Sequence, residues 1–344
     1  MTNSPFADVA ERLFFDLAAR RGIDAPRTDW SAIDATELDR LLLPEDDGGA
    51  GNAFADACTI MAVFGRLGPN VPLLETMVAN WLLAYSGLPV ERGPKALLVA
   101  SDIGPLRIEG DHVVLPENPV AVTWMPMTTT AVVLAEDETG TLQVAMIACP
   151  QDGAVGHTIA DEPARWLSGK ALRLAGPAQP LQQARALALA LPVLLQASAM
   201  TGAIEAAIAM ALDHANLRKQ FGRPIAAFQA IQHTAARMAS AGAVAAASVE
   251  QAKPFLKTPE ALWFAAVSKS ATSEAAGTVA ADAHQIHGAI GFTREYDLHR
   301  HTRRLWAWRE RYGNEEYWNS HVGTALLESA DTSLWRGVRD GLSI

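Results

Sequence analysis

The sequence contains little cysteine. Only Cys58 and Cys149 occur among 344 residues; they lie far apart, and neither belongs to a C-x-x-C motif. Disulfide frameworks and zinc sites require several suitably spaced ligands, so the sequence predicts neither kind of site. We expect both residues to be reduced thiols in the protein core.

The chain also lacks an excess of positive charge. Its 28 Lys and Arg residues are outnumbered by 38 Asp and Glu residues, which gives a formal net charge of −10. Nucleic acids and anionic membranes attract basic surfaces. Neither a nucleic acid nor a membrane is therefore predicted as a partner.

A long apolar run is missing from the N-terminal stretch MTNSPFADVAERLFFDLAARRG. Acidic residues interrupt it early, and no continuous apolar segment follows. The stretch is predicted to be neither a signal peptide nor a membrane span. A cytoplasmic location is expected.

Hydrophobic periodicity divides the chain into three parts. Apolar residues recur every three or four positions up to about Leu88, which predicts amphipathic helices. From Lys95, β-branched runs such as ALLVA, TAVVLAED and LQVAMIAC predict five or six strands. The chain then becomes alanine-rich, with apolar residues at i, i+4 spacing from Met200 to Leu212, as in a helical bundle. The predicted fold class is mainly α with a central β domain: an N-terminal helical domain (1–94), a shortened middle β domain (95–178) and a C-terminal helical bundle (179–344).

Residues 216–238, NLRKQFGRPIAAFQAIQHTAARM, contain a candidate ligand site. A helix is expected to end or bend near Gly222, and a second helix to begin after it. Arg218, Phe221 and Gln229 would then surround one turn, and their guanidinium, aromatic ring and carboxamide suit a nucleotide diphosphate. A helical hairpin with capping residues explains the same pattern, so the residues alone leave both interpretations open.

Residues 284–298, HQIHGAIGFTREYDL, form a second candidate. Gly288 is expected to end an alanine-rich helix, either as a C-cap or where a ligand approaches the backbone closely. His284 and His287 are three positions apart, but no H-E-x-x-H motif or nearby cysteine accompanies them. No metal site is predicted here.

Taken together, the two stretches resemble the C-terminal domain of the FAD-dependent acyl-CoA dehydrogenase family. The upstream sequence LLLPEDDGGAG is similar to that family's L-x-x-P-E-x-x-G-G-x-G turn, and the helical, β, helical order matches its fold. The resemblance implies that FAD lies across a subunit interface and that this chain holds the AMP and pyrophosphate end of a neighbour's flavin. The cofactor contacts that it identifies are Arg218, Phe221, Gln229, Gln285 and Gly288, with Ala289 in place of a usual glycine.

The family's flavin-covering loop is not evident in this sequence. The run ALLVA continues into SDIGPLRIEGDHVVL, without the Thr-Glu-Pro and Ala-Gly-Ser-Asp segments that the resemblance leads us to expect. Only VTWMPMTTTAVVL, which contains Trp124, is similar to the family's later flavin-side strand. We expect that this chain does not bind a flavin ring by itself.

The family's catalytic carboxylate is missing as well. In the family, a carboxylate removes an α proton while a hydride passes from Cβ to flavin N5. Its usual position matches Tyr312 within RERYGNEE, and tyrosine, with an ordinary pKa of about 10, is a poor base. The other known position falls near Pro192, and the substrate-facing arginine falls on Val193. No catalytic residue is therefore predicted; Glu310 is an alternative base only if the register shifts.

The final segment is rich in arginine and tryptophan. Its arginines are expected to form mainly structural ion pairs, and its tryptophans to lie in the core or a subunit interface. The residues concerned are Arg300, Arg303, Arg304, Arg309, Arg311, Trp306, Trp308, Trp318 and Trp335.

The leading hypothesis is a subunit of a heteromeric FAD-dependent acyl-CoA dehydrogenase. Its partner would be a homologous catalytic chain in an α2β2 assembly, with FAD shared across the interface and an acyl-CoA substrate such as a steroid side-chain thioester. One alternative is a self-sufficient, homo-oligomeric acyl-CoA flavoenzyme with a relocated base. The other is a non-enzymatic helical scaffold.

Overall fold

The computed structural model describes residues 5–19, 30–181, 184–329, 339–342 and 344. Its first part is helical, because apolar residues recur at helical spacing and leave one face to be buried. Two short 3-10 turns, Leu38–Arg40 and Glu45–Asp47, precede the third helix. The helices are α1 (Pro5–Ala19), α2 (Ser31–Thr36), α3 (Phe54–Leu67) and α4 (Leu73–Tyr85).

Within the described residues, ten strands lie between positions 95 and 180, where the sequence predicted five or six. Several have only two to four residues, too few for alternation to be visible in the sequence. A four-residue helix, α5 (Ala100–Ile103), follows the first strand directly. The strands are β1 (Lys95–Val99), β2 (Arg107–Glu109), β3 (His112–Val114), β4 (Val120–Thr123), β5 (Thr130–Asp137), β6 (Leu142–Ala148), β7 (Ala154–His157), β8 (Pro163–Leu167), β9 (Ala171–Arg173) and β10 (Gln179–Pro180).

These ten strands form two sheets. The seven-stranded sheet has the order β10-β6-β5-β2-β3-β9, and β1 pairs with β5 in parallel, with Lys95 opposite Thr130. The three-stranded sheet has the order β4-β8-β7. The inner residues of the larger sheet, including Leu98, Val133 and Ile147, form a separate apolar core. The β segment is thus a packed unit between two helical parts.

The last part is a bundle of long helices. A small hairpin of β11 (Lys219–Gln220) and β12 (Arg223–Pro224) and a 3-10 turn (Ile225–Ala227) separate the first two helices. A 3-10 helix, Gly288–Phe292, follows the third. The helices are α6 (Arg185–Leu217), α7 (Gln229–Ala252), α8 (Ala261–His287), α9 (Leu298–Glu310) and α10 (Glu315–Glu328). The helical, β, helical order agrees with the predicted fold class.

Small residues let α3 and α6 approach until their backbones touch. A Cβ atom on Gly65 would lie 1.7 Å from the Ala199 carbonyl oxygen, and one on Gly202 would lie 1.8 Å from the Ala62 carbonyl oxygen. Helix α6 is long and apolar enough to span a membrane, but 83% of its most apolar window is buried inside the protein. It is therefore the central helix of this bundle.

The prediction of an apolar face on α6 from Met200 to Leu212 is only partly correct. Met200 and Ile204 are buried, whereas Leu212 is 39% exposed, because the last turns of α6 carry an outward surface at the end of the bundle. Cys58 and Cys149 are free and buried. Trp335 lies outside the described residues.

Candidate functional site

The residues predicted to contact a nucleotide lie at one end of the C-terminal bundle. His214, in the last turn of α6, stacks on His287, the last residue of α8, with ring centroids 4.5 Å apart. Arg218 caps the end of α6, and its carbonyl accepts a hydrogen bond of 2.8 Å from the Ile225 N–H, just before α7 begins. The ends of α6 and α8 and the start of α7 therefore meet at this point.

The β11–β12 hairpin projects an aromatic ring from this end. Phe221 has a φ angle of +52° and is 91% exposed. Its ring meets that of Phe228 edge to face, with centroids 6.1 Å apart, and the Arg223 guanidinium lies 4.3 Å from the Phe228 ring centre. A phenylalanine this exposed offers a whole face to a planar ligand or a partner chain.

The remaining predicted contacts are polar or small. Gln229 and Gln285 are exposed, and Gln229 Nε2 lies 3.5 Å from His233 Nε2. Gly288 has a φ angle of +62°, and a Cβ atom added there would meet no atom of the described residues within 4 Å. An arginine, two carboxamides, an open aromatic face and an unobstructed glycine are therefore gathered at one surface. This donor set fits the phosphates and adenine of a nucleotide.

The position expected for the catalytic base is filled by a buried tyrosine. Tyr312 lies between α9 and α10 with a φ angle of +56°, and its side chain is fully buried. Arg311 Nη2 donates a hydrogen bond of 3.0 Å to the Tyr312 hydroxyl oxygen. The Tyr312 N–H donates a hydrogen bond of 3.2 Å to Asp102 Oδ1. Trp318 Nε1 donates a hydrogen bond of 2.9 Å to the Tyr312 carbonyl. The ring is thus fixed on several sides.

Arg311 is the centre of a buried charge cluster. Its Nε donates hydrogen bonds of 2.8 and 2.9 Å to the two carboxylate oxygens of Asp102. Its Nη2 donates a hydrogen bond of 3.1 Å to Glu75 Oε1. Glu162 Oε2 lies 3.9 Å from Arg311 Nη1, and Glu162 Oε1 accepts a hydrogen bond of 2.7 Å from Trp308 Nε1. The cluster joins α4, α5, the β7–β8 loop and the end of α9. We call it the Arg311 cluster: Glu75, Asp102, Glu162, Arg311 and Tyr312.

Burial determines the protonation of this cluster. Burial raises the pKa of Tyr312 well above its ordinary value, although the neighbouring Arg311 lowers it, so the hydroxyl stays protonated. Burial also raises the pKa of Glu75 to about 7, because desolvation outweighs the attraction of Arg311. Burial lowers the pKa of Arg311, but Asp102 and the other carboxylates raise it well above the ordinary value. The Tyr312 hydroxyl therefore keeps its proton and accepts a hydrogen bond from Arg311.

Lys269, in the core of α8, supports the turn that carries Tyr312. Its Nζ donates hydrogen bonds to the Arg309 carbonyl (2.8 Å), the Gly313 carbonyl (2.8 Å) and Ser273 Oγ (3.1 Å). The side chain is fully buried, and burial lowers its pKa to about 7. These bonds secure the end of α9 to the bundle core.

The three glutamates near Tyr312 in the sequence are exposed or paired with other residues. Glu310 is exposed and accepts a hydrogen bond of 3.0 Å from Asn314 Nδ2. Glu315 forms an ion pair with Arg309, and Glu316 is exposed at the start of α10. The other base position also carries no carboxylate, since Pro192 and Val193 are buried apolar residues inside α6.

The arginines of the final segment form ion pairs and hydrogen bonds mainly with other residues of this chain. Arg303 pairs with Asp161, Arg309 with Glu315, and Arg300 with Asp297. Arg304 is buried and donates 3.2 Å to the Pro69 carbonyl. Trp308 and Trp318 are buried, whereas Trp306 is 40% exposed.

Sequence reasoning did not identify Glu75, Asp102, Glu162 or Lys269. One signal was available: Glu75 is the only charged residue in the apolar helix α4, and Lys269 is the only basic residue apart from histidine in α8. An isolated charge within an apolar helix indicates a buried partner. The partner itself lies far away in sequence in each case.

Trp124 is buried with a φ angle of +65°, and β1 passes directly into α5.

Comparison with known proteins gives consistent matches. Residues 188–327 match the family described as "Acyl-CoA dehydrogenase, C-terminal domain". The chain is 32% identical over 283 residues to "Acyl-CoA dehydrogenase IpdE2" of Mycobacterium tuberculosis, covering 77% of this chain and 75% of that protein. It is 30% identical over 264 residues to the IpdE2 protein of Mycolicibacterium smegmatis, covering 75% of this chain and 74% of that protein.

Solved structures are similar over nearly the whole chain. A chain of the ChsE4–ChsE5 complex from Mycobacterium tuberculosis superposes with a TM-score of 0.81 at 21% identity, covering 96% of this chain and 99% of that one. A chain of the Tcur3481–Tcur3483 steroid ACAD gives a TM-score of 0.80 at 21% identity, covering 94% of this chain and 97% of that one. These likenesses confirm the predicted fold class.

Proposed function

Because this chain belongs to the acyl-CoA dehydrogenase family, we propose that it is the non-catalytic subunit of a heteromeric acyl-CoA dehydrogenase. Members of this family are FAD-dependent oxidoreductases. The observation that carries the proposal is the contrast between two sites. The predicted nucleotide contacts Arg218, Phe221 and Gly288 are exposed, whereas Tyr312, at the position expected for the base, is buried and protonated.

The C-terminal bundle exposes apolar side chains that a homologous partner chain could cover. Helix α7 has 24 residues but buries only four side chains, and Val244 on it is 62% exposed. Leu217 and Phe221 are 80% and 91% exposed. A helical surface that exposes several large apolar side chains is typical of the surfaces that subunit interfaces bury. We therefore assign this face to a homologous catalytic chain in an α2β2 assembly.

Each chain would supply a different part of the reaction site. FAD, when bound, supplies the acceptor for the hydride that leaves the acyl Cβ. In this chain, Arg218 would bind the pyrophosphate, Phe221 would stack on the adenine, and the carboxamides of Gln229 and Gln285 would donate hydrogen bonds. The backbone at Gly288 would allow the ligand to approach closely. The partner would supply the carboxylate base and the loop over the flavin ring.

The relatives suggest the substrate class. One solved structure of the same fold is described as a complex of two chains, ChsE4–ChsE5, and another as a steroid ACAD. We propose a CoA thioester with a bulky acyl group, such as a steroid side chain, as the substrate of the assembled enzyme. Because no base is predicted in this chain, α,β-desaturation would occur where the partner supplies the base.

Replacing Arg218 in the co-expressed complex tests the shared cofactor site. Loss of a hydrogen bond to a charged group costs about 1.5–3 kcal/mol, so Arg218→Ala is expected to weaken FAD binding by roughly ten- to a hundredfold. Arg185→Ala is the matched control, because Arg185 is exposed and pairs with Glu136 away from the bundle end. Flavin content is read from the visible spectrum of the purified complex. Equal flavin content in both variants would remove Arg218 from the cofactor site.

A further inference from the structure

A cluster of histidine and aromatic rings lies directly beneath the proposed nucleotide site. The His214 ring stacks on His287 with centroids 4.5 Å apart, and Tyr296 lies 4.9 Å from His287. One turn earlier in α8, the His284 ring stacks on Phe292 at 4.2 Å. Four separate segments of chain meet in this cluster: α6, α8, the 3-10 helix after α8, and the stretch before α9.

Hydrogen bonds fix the tautomer of the central ring. His287 Nδ1 lies 2.7 Å from the Ala283 carbonyl and must donate to it, so the proton of the neutral ring is on Nδ1. His287 is 5% exposed, and its Nε2 has no hydrogen-bond partner among the described residues. His284 Nε2 lies 2.9 Å from Thr302 Oγ1. With its proton on Nδ1, neutral His287 keeps the hydrogen bond to the Ala283 carbonyl, and burial is what opposes a second proton.

The stacked pair sets the spacing between two groups of nucleotide contacts. Arg218 follows His214 by one helical turn, and Gln285 and Gly288 flank His287. The 3-10 helix packs closely against the His287 side chain, since a Cβ atom on Gly291 would lie 2.9 Å from His287 Cβ. A change in the distance between His214 and His287 would therefore move the end of α6 relative to the end of α8.

We infer that His214 and His287 are positioning residues that hold Arg218 at the correct distance from Gln285 and Gly288, and that this function requires both rings to be neutral. The inference rests on the proposed function, because it concerns the same nucleotide site. Protonation of both rings would place two positive charges in a stack 4.5 Å apart. The stack would open, and affinity for the nucleotide end of FAD would fall in acid.

The charges around the cluster favour the neutral state. Burial lowers the pKa of His214, and His287 and Arg218 lower it further. Burial likewise lowers the pKa of His284, with further contributions from His287 and His299. For His287, burial lowers the pKa, whereas the carbonyls of Ala283 and Met210 raise it by less. The other charged or titratable groups around the cluster are Asp213 on α6, Arg218 after it, His284 on α8, Tyr296 and Asp297 before α9, and His299 on α9.

The test compares FAD affinity at pH 7.5 and pH 5.5 in the complex with the homologous catalytic chain. A one-unit difference in pKa between the bound and free states changes affinity by up to about tenfold, so the unaltered complex is expected to bind FAD more weakly at pH 5.5 than at pH 7.5, by up to about this factor. His214→Phe keeps a stacked ring that cannot be protonated. It is expected to retain normal affinity at pH 7.5 and to lose most of the pH dependence. His214→Ala removes the stack and is expected to weaken binding at both pH values.

His157→Phe is the matched control, because His157 is exposed on β7, away from the bundle end. It is expected to leave both affinity and pH dependence unchanged. Hydrogen exchange of residues 285–292 without added FAD gives an independent readout, and His214→Ala is expected to speed it. Unchanged pH dependence in His214→Phe, or tighter FAD binding in acid, would overturn the positioning role. Failure of the shared cofactor site itself would appear separately, as normal flavin content in Arg218→Ala.

Discussion

Replacing Arg311 with methionine would leave three buried carboxylates without their cation. Asp102 lies 2.8 Å, Glu75 3.1 Å and Glu162 3.9 Å from the guanidinium nitrogens, and the Arg311 side chain is 11% exposed. Removing one partner of a buried ion pair costs about 3–5 kcal/mol, because the remaining charge stays desolvated. Arg311→Met is therefore expected to lower stability by about this amount.

The assay is thermal unfolding of the purified chain, followed by circular dichroism. For a large domain, a loss of 1 kcal/mol lowers the Tm by about 2–4 °C, so a decrease of about 6 °C or more is expected. Arg173→Met is the matched control, because Arg173 is 80% exposed and pairs with Asp111 at the surface. Exposed pairs contribute about 0–1 kcal/mol. Equal effects of the two substitutions would refute the view that the Arg311 cluster joins the domains.

Two further predictions concern the same core. Burial raises the pKa of Glu75 from 4.5 to about 7, so its contribution to stability is full below pH 4.5 and is lost as the pH rises to 7. Glu75→Gln cannot titrate and should remove about 3 kcal/mol of this pH-dependent stability, which would appear as a flatter dependence of Tm on pH across that window; an unchanged slope would contradict the assignment. Gly202→Ala would place a Cβ atom 1.8 Å from the Ala62 carbonyl oxygen and should cost about 1–3 kcal/mol in urea denaturation. The control Gly323→Ala, where a Cβ atom meets no atom within 4 Å, should cost nothing, and equal losses would contradict close packing of α3 and α6.

The sequence allowed the architecture to be predicted because its periodicities are strong. Helical spacing in α3 and α6 and the change to β-branched runs at Lys95 place the two helical parts and the β segment. The number of strands was underestimated, since strands such as Ala171–Arg173 contain too few residues to show alternation. Pairing over long distances, and not local pattern, creates these short strands.

The two halves of the candidate site differ in how far the sequence could predict them. Arg218, Phe221 and Gln229 lie within a dozen residues, so their common location follows from one helix, hairpin and helix unit. The Arg311 cluster, by contrast, unites residues separated by more than 200 positions, such as Glu75 and Arg311. Sequence reasoning could show that Tyr312 stands where a base is expected, but not what surrounds it. Only tertiary packing brings the carboxylates to that point.

The most direct test of the account is the FAD content of this chain, purified alone and in complex with its homologous catalytic partner. Flavin absorbance gives the amount of FAD, and quantitative amino-acid analysis gives the amount of each chain. We expect no retained flavin and no acyl-CoA dehydrogenation by this chain alone, and one FAD for each pair of unlike chains in the active complex. A yellow and active preparation of this chain alone, or two FAD molecules for each pair of unlike chains, would contradict it.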